Sequence, residues 1–266
     1  MGKLIALSLA LASAVFAQWA DYPTAKVPMK DGKPDLTAKA PRTGWDTPDL
    51  SGIWENVRGA KSEPGKPPLA SFANIGAGFK DGALPLQPWA AALLKERRAG
   101  NSKDNPDARC LPMGLMQFHE HPQPRKIVQT PDLMLIIYEA NSGIRQIFLD
   151  GRKLPGMEVE PWWYGYSVGH WEGDTLVVET VRMKDLGWLD IWGSPITETG
   201  KIIERFKRTS YGSLEIAVTI DDPKAYTEPF TVGVVQRVMP NTDLIEFVCA
   251  ENDKFTSYLE GAEKKK

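Results

Sequence analysis

Two runs, Lys201–Arg208 (KIIERFKR) and Ser213–Asp221 (SLEIAVTID), decide the fold, together with the Ser210-Tyr211-Gly212 connection near their join. In the second run Leu214, Ile216, Val218 and Ile220 alternate with Glu215, Thr219 and Asp221. A period of two marks a strand with one buried face. A short Gly-bearing connection between two such runs marks a hairpin. The pattern repeats on both sides. Met134–Ala140 precedes Ile144–Asp150, Tyr166–Trp171 precedes Thr175–Val181, and Pro229–Val238 precedes Leu244–Cys249. Leu50–Trp54 reads as a first strand, and one short helix is signalled by Pro88 at its start and Gly100 at its stop. Successive hairpins without intervening helices predict a mainly β, antiparallel meander. Both a sandwich and a closed up-and-down barrel fit. The barrel is favoured because closure leaves no unpaired edge.

Around this core the chain divides simply. Residues 1–17 have a basic start at Lys3, an apolar run from Leu4 to Phe16 and a small residue at Ala17, the pattern of a cleaved signal peptide. That places the mature chain in the periplasm or outside the cell. Residues 18–49 form an irregular lead-in broken by Pro23, Pro28, Pro34, Pro41 and Pro48, residues 50–259 a single β-barrel-like domain, and residues 260–266 a charged tail. No later stretch has the apolar length of a membrane helix, so no membrane insertion is expected. A net charge of −2 with 42% hydrophobic residues excludes a disordered chain, and a pI near 6.0 argues against a nucleic-acid partner. Cys110 and Cys249 read as one disulfide in an exported chain, or else as two unrelated buried thiols.

Strand parity points several carboxylates inward. Glu204 lies between Ile202 and Phe206, Glu139 follows Leu135 and Ile137, and Glu246 lies with Leu244 and Val248. A carboxylate on an apolar face must be paired, hydrogen-bonded or neutralised. Such a group either forms a structural ion pair, here with Arg145 or Arg237, or serves acid–base chemistry. Trp162 and Trp163 open the densest aromatic stretch, which also holds Tyr166, and Trp188 and Trp192 flank Asp190 in a connecting loop. Trp and Tyr make platforms for flat ligands, although core packing explains them equally. Asp190 is either poised at a cavity mouth or a turn residue. His119-Glu120-His121 has metal-like spacing if it lies on a strand, with His170 as a third nitrogen, but Pro122 and Pro124 argue against a rigid strand there, so no metal is assigned. Nucleotide-binding and serine-hydrolase motifs are missing from the sequence, and no cofactor is expected.

Three stretches, Pro48–Trp54 (PDLSGIW), Gly165–Val178 (GYSVGHWEGDTLVV) and Thr219–Thr227 (TIDDPKAYT), resemble a family of uncharacterised exported bacterial proteins abundant in acidobacteria. Cys110-Leu111-Pro112, Gln129-Thr130-Pro131 and Phe247–Asn252 extend the resemblance over most of the mature chain. Relatives carry His where Tyr166 stands and Arg or Lys where His170 stands, which further weakens a metal reading. More loosely, Gly52-x-Trp54 ahead of a meander is similar to the calycin barrels, the lipocalins and their kin, whose interior holds a small ligand. This is a likeness of fold only.

The combined expectation is a calycin-like barrel that handles a small aromatic or sugar-derived compound by cofactor-independent acid–base chemistry, as a lyase, hydratase, isomerase or hydrolase. Glu139 or Glu204 would be the base, Tyr166 the acid, Asp190 a further catalytic candidate, Arg145 an anion clamp, and Trp162, Trp163, Trp188 and Trp192 the ring-binding surface. A non-catalytic ligand carrier is the alternative.

Overall fold

A computed structural model describes residues 24 and 26–249; the expected signal peptide and the charged tail lie outside the described residues. Nine strands close into a barrel. In chain order they are β3 (Gly52–Asn56), β4 (Arg125–Gln129), β5 (Leu133–Tyr138), β6 (Ile144–Phe148), β7 (Tyr166–Glu172), β8 (Thr175–Val181), β9 (Lys201–Arg208), β10 (Ser213–Asp221) and β11 (Phe230–Val238). A two-stranded ribbon in the lead-in, β1 (Met29–Lys30) with β2 (Lys33–Pro34), stands apart. Each barrel strand neighbours the next in sequence, and β11 closes the ring on β3.

The expected meander is antiparallel throughout, and the ring departs from it once. Every antiparallel pair reverses strand direction, so a closed walk needs an even number of reversals. A ring of nine strands therefore cannot close without a parallel pair. That pair is β6 with β7, joined only through Ile147 opposite Ser167 and Phe148 opposite Val168, while the other eight pairs are antiparallel.

Parity holds where one face of a run is clearly apolar. Leu214, Ile216, Val218 and Ile220 are buried along β10, as are Ile202, Glu204 and Phe206 along β9. It fails on β5, where Met134, Ile136 and Tyr138 point inward and Leu135 and Ile137 do not. Glu139 therefore follows out of phase with the inward residues of β5, although it is buried. It has helical φ/ψ at the head of a 3-10 turn, and its Oε2 accepts the Ile245 N–H at 3.2 Å.

The expected last hairpin is also absent. The edge of β11 is already taken by β3, through Val238 opposite Trp54 and Arg237 opposite Glu55. Residues 242–248 instead run irregularly over the barrel to the Cys110–Cys249 disulfide, and Glu246 is exposed. The bond spans 139 residues of sequence. In the chain-entropy picture such a closure contributes about 4–5 kcal/mol, and a disulfide of this kind belongs to an oxidising, extracellular environment. No helix among the described residues is long and apolar enough to cross a membrane.

Among the described residues two complete α-helices accompany the barrel. The expected one, α1 (Pro88–Ala99), ends at Gly100. The other, α2 (Leu115–Glu120), has all six residues buried. So short a helix does not stand alone in water; it forms because the barrel surrounds it. Gly114 at its N-cap has no room for a side chain, because a Cβ there would meet the Trp188 carbonyl oxygen at 2.1 Å. Phe118 stacks on the inward Tyr138 at 4.1 Å, and His119 lies edge-on to Phe206 at 5.9 Å. With Trp54, Arg125 and Arg145 also fully buried, this part of the barrel is filled by side chains instead of enclosing the hollow that the calycin likeness implied.

Candidate functional site

Successive residues of an α-helix point about 100° apart. His119 and Glu120, the last two residues of α2, accordingly serve two different places.

His119 reaches into the barrel. Its Nε2 lies 2.6 Å from Glu204 Oε1, and Arg145 grips the same carboxylate with two nitrogens, Nη1 to Oε1 at 2.8 Å and Nη2 to Oε2. Arg145 also donates to Ser167 Oγ at 3.1 Å and Thr180 Oγ1 at 3.0 Å. Burial alone would raise the Glu204 pKa, but the charge and hydrogen bonds of Arg145, with the bond from His119, outweigh it and hold the group at about 2. Burial lowers the His119 pKa in spite of Glu204. The arrangement is thus a neutral imidazole donating to a carboxylate whose charge Arg145 already compensates. Both oxygens of the Glu204 carboxylate are thus occupied by protein donors.

Glu120 faces the other way, into a cavity of about 590 Å³ between β3, β11, the end of α2 and the loop after β3. Asn56 Nδ2 donates to its Oε2 at 2.8 Å and to its backbone oxygen at 3.1 Å. Among the described residues Oε1 takes no hydrogen bond, and no cation lies in salt-bridge contact with the carboxylate. Burial raises the Glu120 pKa to about 7, against weaker lowering by the Asn56 bond and the charge of Arg125. Arg125 is itself buried and committed to backbone, donating to the carbonyls of His119 at 2.7 Å and His121 at 2.9 Å, with Nε left unpartnered. The cavity wall is mostly apolar, with Leu69, Phe72 and Val235, and the exposed Arg58 sits at its rim. His121 packs edge-on to Phe72 at 5.0 Å, and burial holds its pKa down to about 4, so it is neutral.

The three histidines therefore diverge: His119 into the barrel, His121 against Phe72, and His170 out to solvent beside Glu172. His119 lies in the last turn of α2 while His121 is its extended C-cap, so the segment is not a strand and its two imidazoles go to different sides.

The other sequence candidates separate into distinct locations. Arg145, Trp162, Trp163 and Tyr166 meet around a smaller cleft of about 280 Å³ at the β6–β7 junction. Tyr166 lies on the outer face of β7, opposite in parity to the inward Ser167, so it cannot hand a proton to Glu204. Its hydroxyl accepts from Arg152 Nη1 at 3.1 Å. Trp188 and Trp192 instead hold α1 against the barrel, beneath the guanidinium groups of Arg97 at 4.4 Å and Arg98 at 3.8 Å. Asp190 takes the turn role. Its carboxylate accepts from the N–H groups of Ile75, Gly193 and Ser194 and from Ser194 Oγ. That turn also donates Ile191 N–H to Phe72 O and Trp192 N–H to Ala73 O, so it pins one wall of the Glu120 cavity. Arg237 pairs with Glu55 near the surface and not with an inward carboxylate.

Sequence reasoning passed over Glu120 because it took the segment for strand or loop. The available signal was a lone acidic residue closing a short apolar run, with Asn56 at the end of the first strand.

The molecule is a closed nine-stranded β-barrel with clefts of small-molecule size on its outside. No protein-family model matches the chain, and neither does any curated protein.

Proposed function

We propose that the protein is an exported, periplasmic or secreted barrel that performs cofactor-independent acid–base chemistry on a small aromatic or sugar-derived compound, with Glu120 as the proton-transfer group. One observation carries the reading: a buried carboxyl, with no cation in salt-bridge contact among the described residues, lines a cavity of about 590 Å³. A carboxyl titrating near neutrality can both take and return a proton, which is the condition for efficient general acid–base catalysis. In its ionised form Oε1 would accept a proton from a C–H or O–H of the substrate; the resulting acid would return it to a leaving group or to the rearranged carbon. Leu69, Phe72 and Val235 would exclude water from the apolar part of the substrate, and Arg58 at the rim would attract an anionic substituent. Lyase, hydratase, isomerase and hydrolase chemistries share this proton step. The disulfide and the motif resemblance support export.

The test is native mass spectrometry of protein purified from its own envelope or medium, to capture a retained compound. Turnover of that compound by wild type and Glu120→Gln is then followed by NMR. Expected are binding by both proteins, conversion by wild type alone, and a pH–rate inflection near 7 that the variant lacks. Full-rate conversion by Glu120→Gln removes Glu120 from the chemistry. A compound bound but never converted makes the protein a carrier.

A further inference from the structure

The barrel seam supports a second site that does not depend on Glu120. We propose that the outer face of the β6–β7 junction binds carbohydrate, stacking a hexose ring of an oligosaccharide on Trp162.

The seam explains why the site exists. A parallel step cannot be made by a tight turn, so residues 149–165 travel over the outside of the barrel before re-entering as β7. Gly165 makes the re-entry possible. Its φ is +66°, and a Cβ there would meet Thr180 Cγ2 at 2.5 Å and the Val181 oxygen at 2.9 Å. The excursion lays Trp162 beside Tyr166, ring centres 5.4 Å apart, and Tyr166 beside Phe148 at 5.1 Å. Trp162 is 40% exposed, yet its backbone is fixed on both sides. Its N–H donates to Arg182 O at 2.9 Å, and its carbonyl accepts from Lys184 N–H at 2.9 Å. An exposed indole held this firmly is a preformed contact surface, and preorganisation lowers the entropy lost on binding.

The rim chooses the ligand. Arg152 is gripped by both oxygens of Asp150, lies 3.7 Å from the Phe148 ring centre, and donates to the Tyr166 hydroxyl. Gln146 is exposed on the outer face of β6, and among the described residues its amide has no side-chain partner. An amide offers both a donor and an acceptor to a hydroxyl. A hexose has apolar C–H faces for the indole and hydroxyl edges for this rim. It also keeps its outer hydroxyls in water, which an open cleft allows. A purely aromatic ring would leave one apolar face wet. A carboxylate would not be met by Arg145, which is already bound to Glu204, Ser167 and Thr180.

The experiment is titration of the full disulfide-bonded protein with cellotetraose, xylotetraose, mannotetraose, laminaritetraose and chitotetraose. Tryptophan fluorescence and calorimetry provide the readouts, and benzoate serves as the flat non-sugar probe. Expected is saturable binding of at least one tetraose. Trp162→Ala weakens it by at least about tenfold, a loss of about 1.4 kcal/mol, with an unchanged circular dichroism spectrum. Gln146→Ala produces a smaller loss. The proposal is overturned if no tetraose binds at millimolar concentration, if folded Trp162→Ala binds as tightly as wild type, or if benzoate binds the cleft in preference to every sugar. A sugar lost in Glu120→Gln but kept in Trp162→Ala would assign the binding to the larger cavity and likewise overturn it.

Discussion

Glu204 and Glu120 are both buried carboxyls, and both are addressed by the same short helix, yet they sit at opposite ends of the carboxylate range. Glu204 meets Arg145 through two nitrogens and His119 through a third, and is held at about 2. Glu120 has one amide donor and, among the described residues, no contacting cation, and is raised to about 7. Burial is common to the two sites; compensation differs. A compensated charge ties strands β6, β7, β8 and β9 together through Arg145, Ser167, Thr180 and Glu204. An uncompensated one is a destabilising feature that the fold carries beside a cavity of about 590 Å³. Such a combination is a mark of function more than of architecture.

The strongest way to break this contrast is to remove the compensation. Glu204→Gln strands the Arg145 charge in the barrel and is expected to lower stability by about 3–5 kcal/mol, measured by urea unfolding at neutral pH. Replacing both partners, Glu204→Leu with Arg145→Met, should recover most of that loss. A double variant as unstable as the single one would show that the network does more than balance charge.

The second prediction runs the opposite way. A carboxyl whose folded pKa is raised binds more protons folded than unfolded, so its contribution falls as pH rises from about 4.5 to about 7. Glu120→Gln should therefore stabilise the protein at pH 8 by up to about 3 kcal/mol, with the gain vanishing below about pH 4.5. Glu204 has the reverse slope, its contribution being lost as pH falls from 4.5 toward 2. Urea midpoints across pH for the two single variants should thus diverge in opposite directions from wild type. Parallel curves would refute the contrast. The smallest effect belongs to Tyr166→Phe, which loses one exposed bond to Arg152 and should change stability by less than about 1 kcal/mol, with no change in the pH dependence of either glutamate.

Much of this contrast was half visible in the sequence. The isolated Glu204 between Ile202 and Phe206 pointed to a buried carboxylate, although Ile203 on the other face left the phase open, and Arg145 was one of two candidate partners with Arg237. Glu139 misled. The run LMLIIY is apolar on both faces, so its phase cannot be read, and the alternation stops where the backbone turns helical at Glu139. Helix α2 escaped because it is only six residues long and buries Gln117, His119 and Glu120 alongside its apolar residues, so it shows no apolar stripe at helical spacing. The terminal Leu244–Cys249 run alternates like a strand, yet alternation says nothing about whether an edge is vacant. Closure by β3 had taken that edge.

The odd strand number also limits how this molecule can be altered. A ring with nine members must contain one place where neighbours run the same way, and such a place obliges the chain to make a detour. Trimming residues 149–165 down to a tight turn would therefore not merely delete a surface loop. It would demand that a strand be gained or lost elsewhere, so the aromatic excursion is as much a condition of the circle's closing as any hydrogen bond within it.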